Sequence, residues 1–193
     1  MRLANAVYAK IKKIIAEMYE DLAYTHIPID VFELAERLDI KLIPYSKLSE
    51  DEYSTISAAS NDGFTYLRLP DWRYEIYYND EQNERRINFT IMHEIGHIML
   101  EHIKPEGTVH SPEHEAEANF FAKSALVPEG LIAYFGIGSV YELVNTFAVS
   151  FECAEYIAAS YNASMQYPNA RMGIAQDPIA KHFINTMVEE AVL

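Results

Sequence analysis

At the centre of the chain lies the sequence RINFTIMHEIGHIMLE, residues 86–101. Its apolar side chains recur at the three- and four-residue spacing that is typical of one face of an α-helix. Residues 93–97 within it form the pattern H-E-x-x-H. On a helix, positions four apart lie only about 40° from each other around the axis, so the imidazoles of His93 and His97 point the same way. This geometry predicts a metal site held by both histidines, with Glu94 beside it as the general base.

A catalytic zinc ion needs a third protein ligand and an open position for water. The side chains that follow the motif and could supply this ligand are His102, His110, His114 and Glu115. On a straight helix, His102 is about 140° around the axis from His97, so it cannot join the same site. The third ligand is therefore expected beyond the motif helix.

The segment after the motif favours Glu115. The pair Ser-Pro at residues 111–112 is typical of a helix start, and a second helix packed antiparallel to the first would bring Glu115 to the two histidines. Asn119 lies one turn further on the same face, where its side chain would hydrogen-bond a ligating imidazole. We predict Glu115 as the third ligand and keep His114 as the alternative. Glu117 is expected to face solvent or to support a ligand.

Strand patterns precede the motif, and helical patterns follow it. Short strands are predicted at residues 40–43, 55–59, 64–69 and 74–78. Helices are predicted at residues 3–21, 30–38, 86–101, from 112, 128–136, from 139, 150–161 and from 177. We therefore expect an α+β fold in which a small, mostly antiparallel sheet with the H-E-x-x-H helix is followed by a helical C-terminal half.

The chain shows no internal repeat or linker that would divide it. We expect a single domain over residues 1–193. Within it, N-terminal helices and the sheet occupy residues 1–80, the metal-binding helices residues 81–127, and a helical part residues 128–193.

The composition restricts the partners. The net charge is −14, and residues 124–170 contain neither Lys nor Arg. Duplex DNA is bound mainly through Lys and Arg against phosphates, so this charge argues against nucleic acid as a direct partner and favours a basic protein. No segment approaches the roughly 18 apolar residues of a membrane span, and the charged N-terminus is unlike a signal peptide. We expect a cytoplasmic protein that does not associate with membranes; its oligomeric state is not indicated.

Several segments resemble the ImmA/IrrE-type zinc metallopeptidases. The central ones are RINFTIMHEIGH at residues 86–97, EAEANFFA at 115–122 and LVP at 126–128. Two flanking ones are PIDVFELAERL at 28–38 and FAVS at 147–150. The resemblance spans roughly residues 5–162. Asp39 stands where a glycine is usual and Tyr156 where a basic residue is common, but neither departure affects the metal-binding residues.

The resemblance implies a zincin-like endopeptidase with zinc bound by His93, His97 and Glu115, as in gluzincins, and with Glu94 as the catalytic residue. Zinc would activate a water molecule and polarise the scissile carbonyl, while Glu94 takes the proton of the water and passes it to the leaving amine. Family members characteristically cleave a transcriptional repressor, often one encoded beside them in a phage or mobile element. The acidic charge of this chain suits a basic, DNA-binding substrate of that kind.

Two other functions are compatible with parts of the sequence. A non-proteolytic regulator would bind a repressor or another partner without cutting it. A DNA-binding protein would use residues 139–161, which have the outline of a helix-turn-helix. The second helix of that outline begins with residues 151–156, which include two glutamates and no basic residue, so we expect it to serve core packing.

Overall fold

A computed structural model describes residues 3–69, 71–104, 111–167 and 170–191, without the side chains of residues 58, 59, 170–172 and 190. These residues form a small sheet and many helices, so the predicted α+β class is confirmed. None of the described helices is both long and apolar enough to cross a membrane. The contacts of the described residues divide them into two compact units, one within residues 30–122 and the other within residues 3–29 and 123–193.

The bounds of the elements follow in chain order. The strands are β1 Lys41–Pro44, β2 Gly63–Arg68 and β3 Arg73–Tyr78. The helices are α1 Asn5–Asp21, α2 Val31–Arg37, α3 Glu50–Ala59, α4 Glu84–Met99, α5 Pro112–Leu126, α6 Glu129–Phe135, α7 Val140–Phe147, α8 Phe151–Ser164, α9 Ala170–Ala175 and α10 Pro178–Glu190. A short 3₁₀ helix covers Tyr45–Lys47.

The sheet has the order β1-β3-β2. The central strand β3 pairs with β1 in parallel, with Leu42 opposite Ile76, and with β2 antiparallel, with Thr65 opposite Ile76. The sheet is therefore mixed, with one pair of each kind. Within the described part of the chain, β2 pairs on one side only, which makes it an edge strand.

The strand predicted at residues 55–59 is wrong, because these residues form the second half of α3. Ser49 caps this helix: its hydroxyl accepts from the Glu52 N–H at 3.4 Å, and the Glu52 carboxylate accepts from the Ser49 N–H at 2.9 Å. Three acidic residues in the first turn add a favourable interaction with the helix dipole. These signals at the helix start outweigh the β-branched residues Thr55 and Ile56, which favour a strand.

In the first unit, the motif helix α4 packs against β2, β3 and α2. Its apolar face is buried, and Ile91, Met92 and Ile95 are inaccessible to solvent. Helix α5 approaches α4 closely at Gly96, where an added Cβ would lie 3.1 Å from the Phe121 side chain. The glycine of the H-E-x-x-H motif therefore sets the spacing of the two helices that carry the predicted ligands.

The second unit is helical among its described residues, as predicted for the C-terminal part. Helix α1 packs against α10, and α7 packs against α8. Three of these helices begin close to the predicted positions, and the side chains of Ser139, Ser150 and Asp177 each accept a hydrogen bond from a backbone N–H in the first turn of α7, α8 and α10, respectively. The short helix α9 was not predicted.

Candidate metal centre

The motif helix α4 presents His93 and His97 from one face. Asn83 caps its N-terminus by accepting a backbone hydrogen bond at 3.0 Å. The buried side chains of Ile91 and Ile95 fix the rotation of the helix about its axis, and with it the direction of both imidazoles. The two Nε2 atoms lie 3.1 Å apart.

Glu115 meets these histidines from the first turn of α5. This helix begins at the predicted position, where the Ser111 hydroxyl accepts from the backbone N–H of residue 114 at 3.1 Å. Glu115 Oε2 lies 3.4 Å from His93 Nε2, and Glu115 Oε1 lies 3.5 Å from His97 Nε2. One donor atom from each of the three residues falls within 4.8 Å of the other two. The structure thus brings together the three residues that were predicted to hold the metal.

Two other candidate third ligands, His102 and His114, are not part of this three-donor cluster. His114 stacks on His102, with ring centroids 4.1 Å apart and 10° between the ring planes. Among the described residues, neither joins the three-donor cluster, and His110 lies outside the described residues. The geometry agrees with the choice of Glu115, whose role as a ligand stays a prediction.

The separations of the donor atoms are compatible with a bound metal ion. Tetrahedral bonds of about 2.0–2.2 Å place donor atoms about 3.3 Å apart. The two Nε2 atoms are 3.1 Å apart, and each lies 3.4 or 3.5 Å from a different oxygen of Glu115, while one donor atom per residue falls within 4.8 Å of the others. Burial lowers the pKa of His93 and outweighs the opposite effect of Glu115. The imidazole is therefore neutral at neutral pH and keeps a lone pair for a cation. Two imidazoles and a carboxylate fit a divalent transition metal.

Glu94 lies next to the two histidines and is buried, with 8% of its surface exposed. Its Oε2 atom accepts a hydrogen bond of 2.7 Å from the hydroxyl of Thr65 on the edge strand β2. Thr65 was not among the site residues predicted from the sequence. Alternation along β2 would have placed it on the inward face, but no local pattern connects residues that are 29 positions apart. The contact holds the carboxylate of the predicted general base in one orientation.

Asn119 lies one turn beyond Glu115, as predicted. Its Nδ2 atom donates to the backbone carbonyl of Glu115 at 2.7 Å. The Nδ1 atom of His93 is buried and has no hydrogen-bond partner within the described part of the chain. The Asn119 side chain acts to raise the pKa of His93, against the larger effect of burial, so it lies near this imidazole. The predicted hydrogen bond from Asn119 to a ligating imidazole stays a prediction.

His102 contacts the back of His97. The two Nδ1 atoms lie 3.0 Å apart, and His102 Nε2 lies 3.0 Å from Glu117 Oε2. Burial lowers the pKa of His102, against an opposite effect of its hydrogen bond to Glu117. His102 is thus outside the donor cluster, as predicted, but its contact with His97 was missed, as was the specific partner of Glu117.

The comparison with protein families agrees with this geometry. The model described as the IrrE N-terminal-like domain, Peptidase_M78, matches residues 35–171, more than half of the chain. The chain belongs to the Peptidase_M78 family. This membership confirms the resemblance drawn from the motifs, and the matched region includes all three donors and Glu94. Family and donor cluster together indicate a metallopeptidase. The comparison with curated proteins found no match.

Proposed function

We propose that this Peptidase_M78 chain is a cytoplasmic, zinc-dependent endopeptidase that cleaves one specific protein. The observation that carries the proposal is the cluster of His93, His97 and Glu115 with the buried carboxylate of Glu94 beside it. A set of two imidazoles and one carboxylate is typical of catalytic zinc sites that keep one position open. A purely structural zinc site would normally close with four protein ligands.

In this proposal, His93, His97 and Glu115 hold the zinc ion. When bound, the ion supplies Lewis-acid chemistry that activates water and polarises the scissile carbonyl. Glu94 moves the proton: its carboxylate accepts it from the attacking water and donates it to the nitrogen of the leaving amine. Thr65 orients that carboxylate through its hydrogen bond to Oε2.

The substrate would bind in extended form along the edge strand β2. An edge strand has unpaired backbone groups, which a peptide can complete by β-augmentation. Thr65 lies on this strand and contacts Glu94, so a peptide paired with β2 would run past the general base. The proposal therefore connects the site of peptide binding with the site of proton transfer.

The substrate that we propose is a basic, DNA-binding transcriptional repressor, of the kind encoded near such enzymes in phages and mobile elements. The net charge of −14 supports it, because an acidic enzyme attracts a basic partner by long-range electrostatics. Cleavage of one partner at one site would relieve repression, which is regulatory proteolysis.

Incubation of the zinc-loaded protein with the repressor encoded next to it tests the proposal. We expect two fragments by intact mass spectrometry, whose masses add up to the repressor plus one water. Glu94→Gln is the control: it should bind zinc, and leave the repressor intact. Full cleavage by this variant would exclude Glu94 as the general base. A stable complex that contains uncut repressor would instead favour a non-proteolytic regulator.

A further inference from the structure

Three side chains of the first unit are connected in series behind the metal centre. His97 Nδ1 lies 3.0 Å from His102 Nδ1, and His102 Nε2 lies 3.0 Å from Glu117 Oε2. His97 and His102 are 3% and 5% exposed, and the Glu117 side chain is 19% exposed. We call this series the His97–His102–Glu117 chain.

The turn at the end of α4 makes the His97–His102–Glu117 chain possible. Glu101 adopts a left-handed conformation, with φ of 60°. The Glu101 N–H donates to the Ile98 carbonyl at 3.0 Å, and the His102 N–H donates to the His97 carbonyl at 2.9 Å. This pair of hydrogen bonds is a Schellman motif, which folds the residue after the turn back over the last full turn of the helix. His102 therefore reaches the side of His97 that faces away from Glu115, which a straight helix would not allow.

The positions of the protons along the His97–His102–Glu117 chain follow from which of its atoms can donate a hydrogen bond and which can only accept one. An ionised carboxylate only accepts, so His102 Nε2 must carry the proton that faces Glu117. A neutral imidazole has one N–H, so His102 Nδ1 is left as an acceptor. His97 Nδ1 must then carry a proton, and His97 Nε2 keeps its lone pair. That Nε2 atom is the one that lies 3.5 Å from Glu115 Oε1 and 3.1 Å from His93 Nε2.

We propose that His102 and Glu117 are positioning residues that hold His97 in the tautomer whose Nε2 atom binds the metal. This role rests on the metal site of the proposed function. The two ligating histidines differ in this respect, because His93 Nδ1 has no hydrogen-bond partner among the described residues. The stacked ring of His114 also restricts the plane of His102. Glu117 thus acts on the metal through two imidazoles. In the common arrangement, by contrast, a carboxylate accepts a hydrogen bond directly from the ligating histidine.

Zinc affinity measured by competition with a chelator tests the proposal. We expect Glu117→Gln to weaken zinc binding about 10–100-fold, as is found for residues that orient a ligand. Glu113→Gln is the matched control, because it removes the same charge from an exposed position in the first turn of α5. His102→Leu should weaken binding to a similar degree. Because Glu117 acts on His97 through His102, Glu117→Gln should weaken zinc binding little further in a protein that already carries His102→Leu. If the losses of zinc affinity in the two variants add up in the double variant, Glu117 does not act through His102.

A second measurement does not depend on metal. Histidine ¹⁵N NMR of the metal-free protein should show His97 protonated at Nδ1 in the natural chain and a mixture of tautomers in Glu117→Gln. If zinc does not bind the natural protein, the proposed function is wrong. The NMR measurement of the His97 tautomer then still tests the positioning role, because it uses the metal-free protein. If zinc binds but neither affinity nor tautomer changes in Glu117→Gln, the positioning role is overturned and the proposed function stands. Should His102→Leu fail to fold, Glu117→Gln alone decides.

Discussion

The two units use buried polar groups in opposite ways. In the second unit, Lys12 lies 3.2 Å from Glu129 and 3.4 Å from Asp177, and Asp177 also accepts from the backbone N–H of Gly130 at 3.3 Å. The charged groups of this cluster have their partners within the unit, since the lysine cation faces two carboxylates. In the first unit, two imidazoles and a carboxylate turn their donor atoms towards one point. Because both kinds of cluster are partly or fully buried, burial alone does not indicate function.

The Lys12 cluster and the His93–His97–Glu115 cluster differ in whether their polar groups have partners of the opposite kind. In the Lys12 cluster of the second unit, each charge has a partner of opposite sign within the unit, so removal of one partner leaves the other without its counter-charge. Converging lone pairs instead need an external cation to offset their desolvation. The comparison predicts that changes in the first unit alter metal binding and catalysis, and that changes in the second unit alter stability.

The largest effect is expected for Glu94→Gln. A positioned general base contributes about 10²–10⁴-fold to a rate, so cleavage should fall by this factor while zinc binding is retained. Repressor cleavage and zinc content measured on the same sample check it. A variant that loses zinc together with activity would show that Glu94 is needed for the donor cluster and not for proton transfer alone.

The second unit should respond to Lys12→Met with a loss of stability. This change leaves the carboxylate of Asp177, whose side chain is fully buried, without its cation. Breaking a fully buried pair costs about 3–5 kcal/mol. Lys12 keeps 21% of its side chain exposed, so we expect roughly 2–3 kcal/mol after discounting for solvent. Chemical denaturation measures the loss of unfolding free energy. If Lys12→Met left the stability unchanged and weakened zinc binding, the expectation that changes in the second unit alter stability and not metal binding would be wrong.

Thr65→Val should give a smaller effect on catalysis. Valine keeps the shape of threonine but removes the hydroxyl that donates to Glu94 Oε2. A hydrogen bond to a charged group contributes about 1.5–3 kcal/mol, which corresponds to roughly 10–100-fold in kcat. The zinc affinity should be unchanged, because Thr65 is not among the donors. Equal losses in kcat and in zinc affinity would show that Thr65 supports the fold of the site as a whole.

The smallest effect concerns the cap of α7 in the second unit. The backbone N–H of Gly138 and the hydroxyl and N–H of Ser139 hold the pKa of Glu142 below its ordinary value of 4.5. A carboxylate with a lowered pKa in the folded state contributes stability above pH 4.5, and this contribution is lost as the pH falls through the folded pKa. The stability difference between the natural chain and Glu142→Gln should therefore be constant above pH 4.5 and shrink below it. Denaturation curves over a pH series test this, and a difference that grows in acid would contradict it.

Much of the local structure was predictable, because its signals lie within one turn or one strand. The helix starts at Ser139, Ser150 and Asp177 were predicted from residue type and position, and so was α4. The strand predicted at residues 55–59 failed because two local signals competed there. The β-branched residues Thr55 and Ile56 favour a strand, but the reciprocal hydrogen bonds of Ser49 and Glu52 start a helix before them.

By itself, the sequence determined the H-E-x-x-H helix, the two histidines on one face, Glu94 beside them and Glu115 at the start of the next helix, since helical periodicity and capping act over a few residues. Only the tertiary structure decided that Thr65 orients Glu94 and that His102 and Glu117 support His97. The first contact depends on the rotation of α4 against an edge strand, and the second on a left-handed turn at Glu101. The rotation of packed elements results from contacts between residues distant along the chain, and a left-handed turn at a residue other than glycine is local but has no periodic pattern. Neither therefore leaves a periodic signal in the sequence.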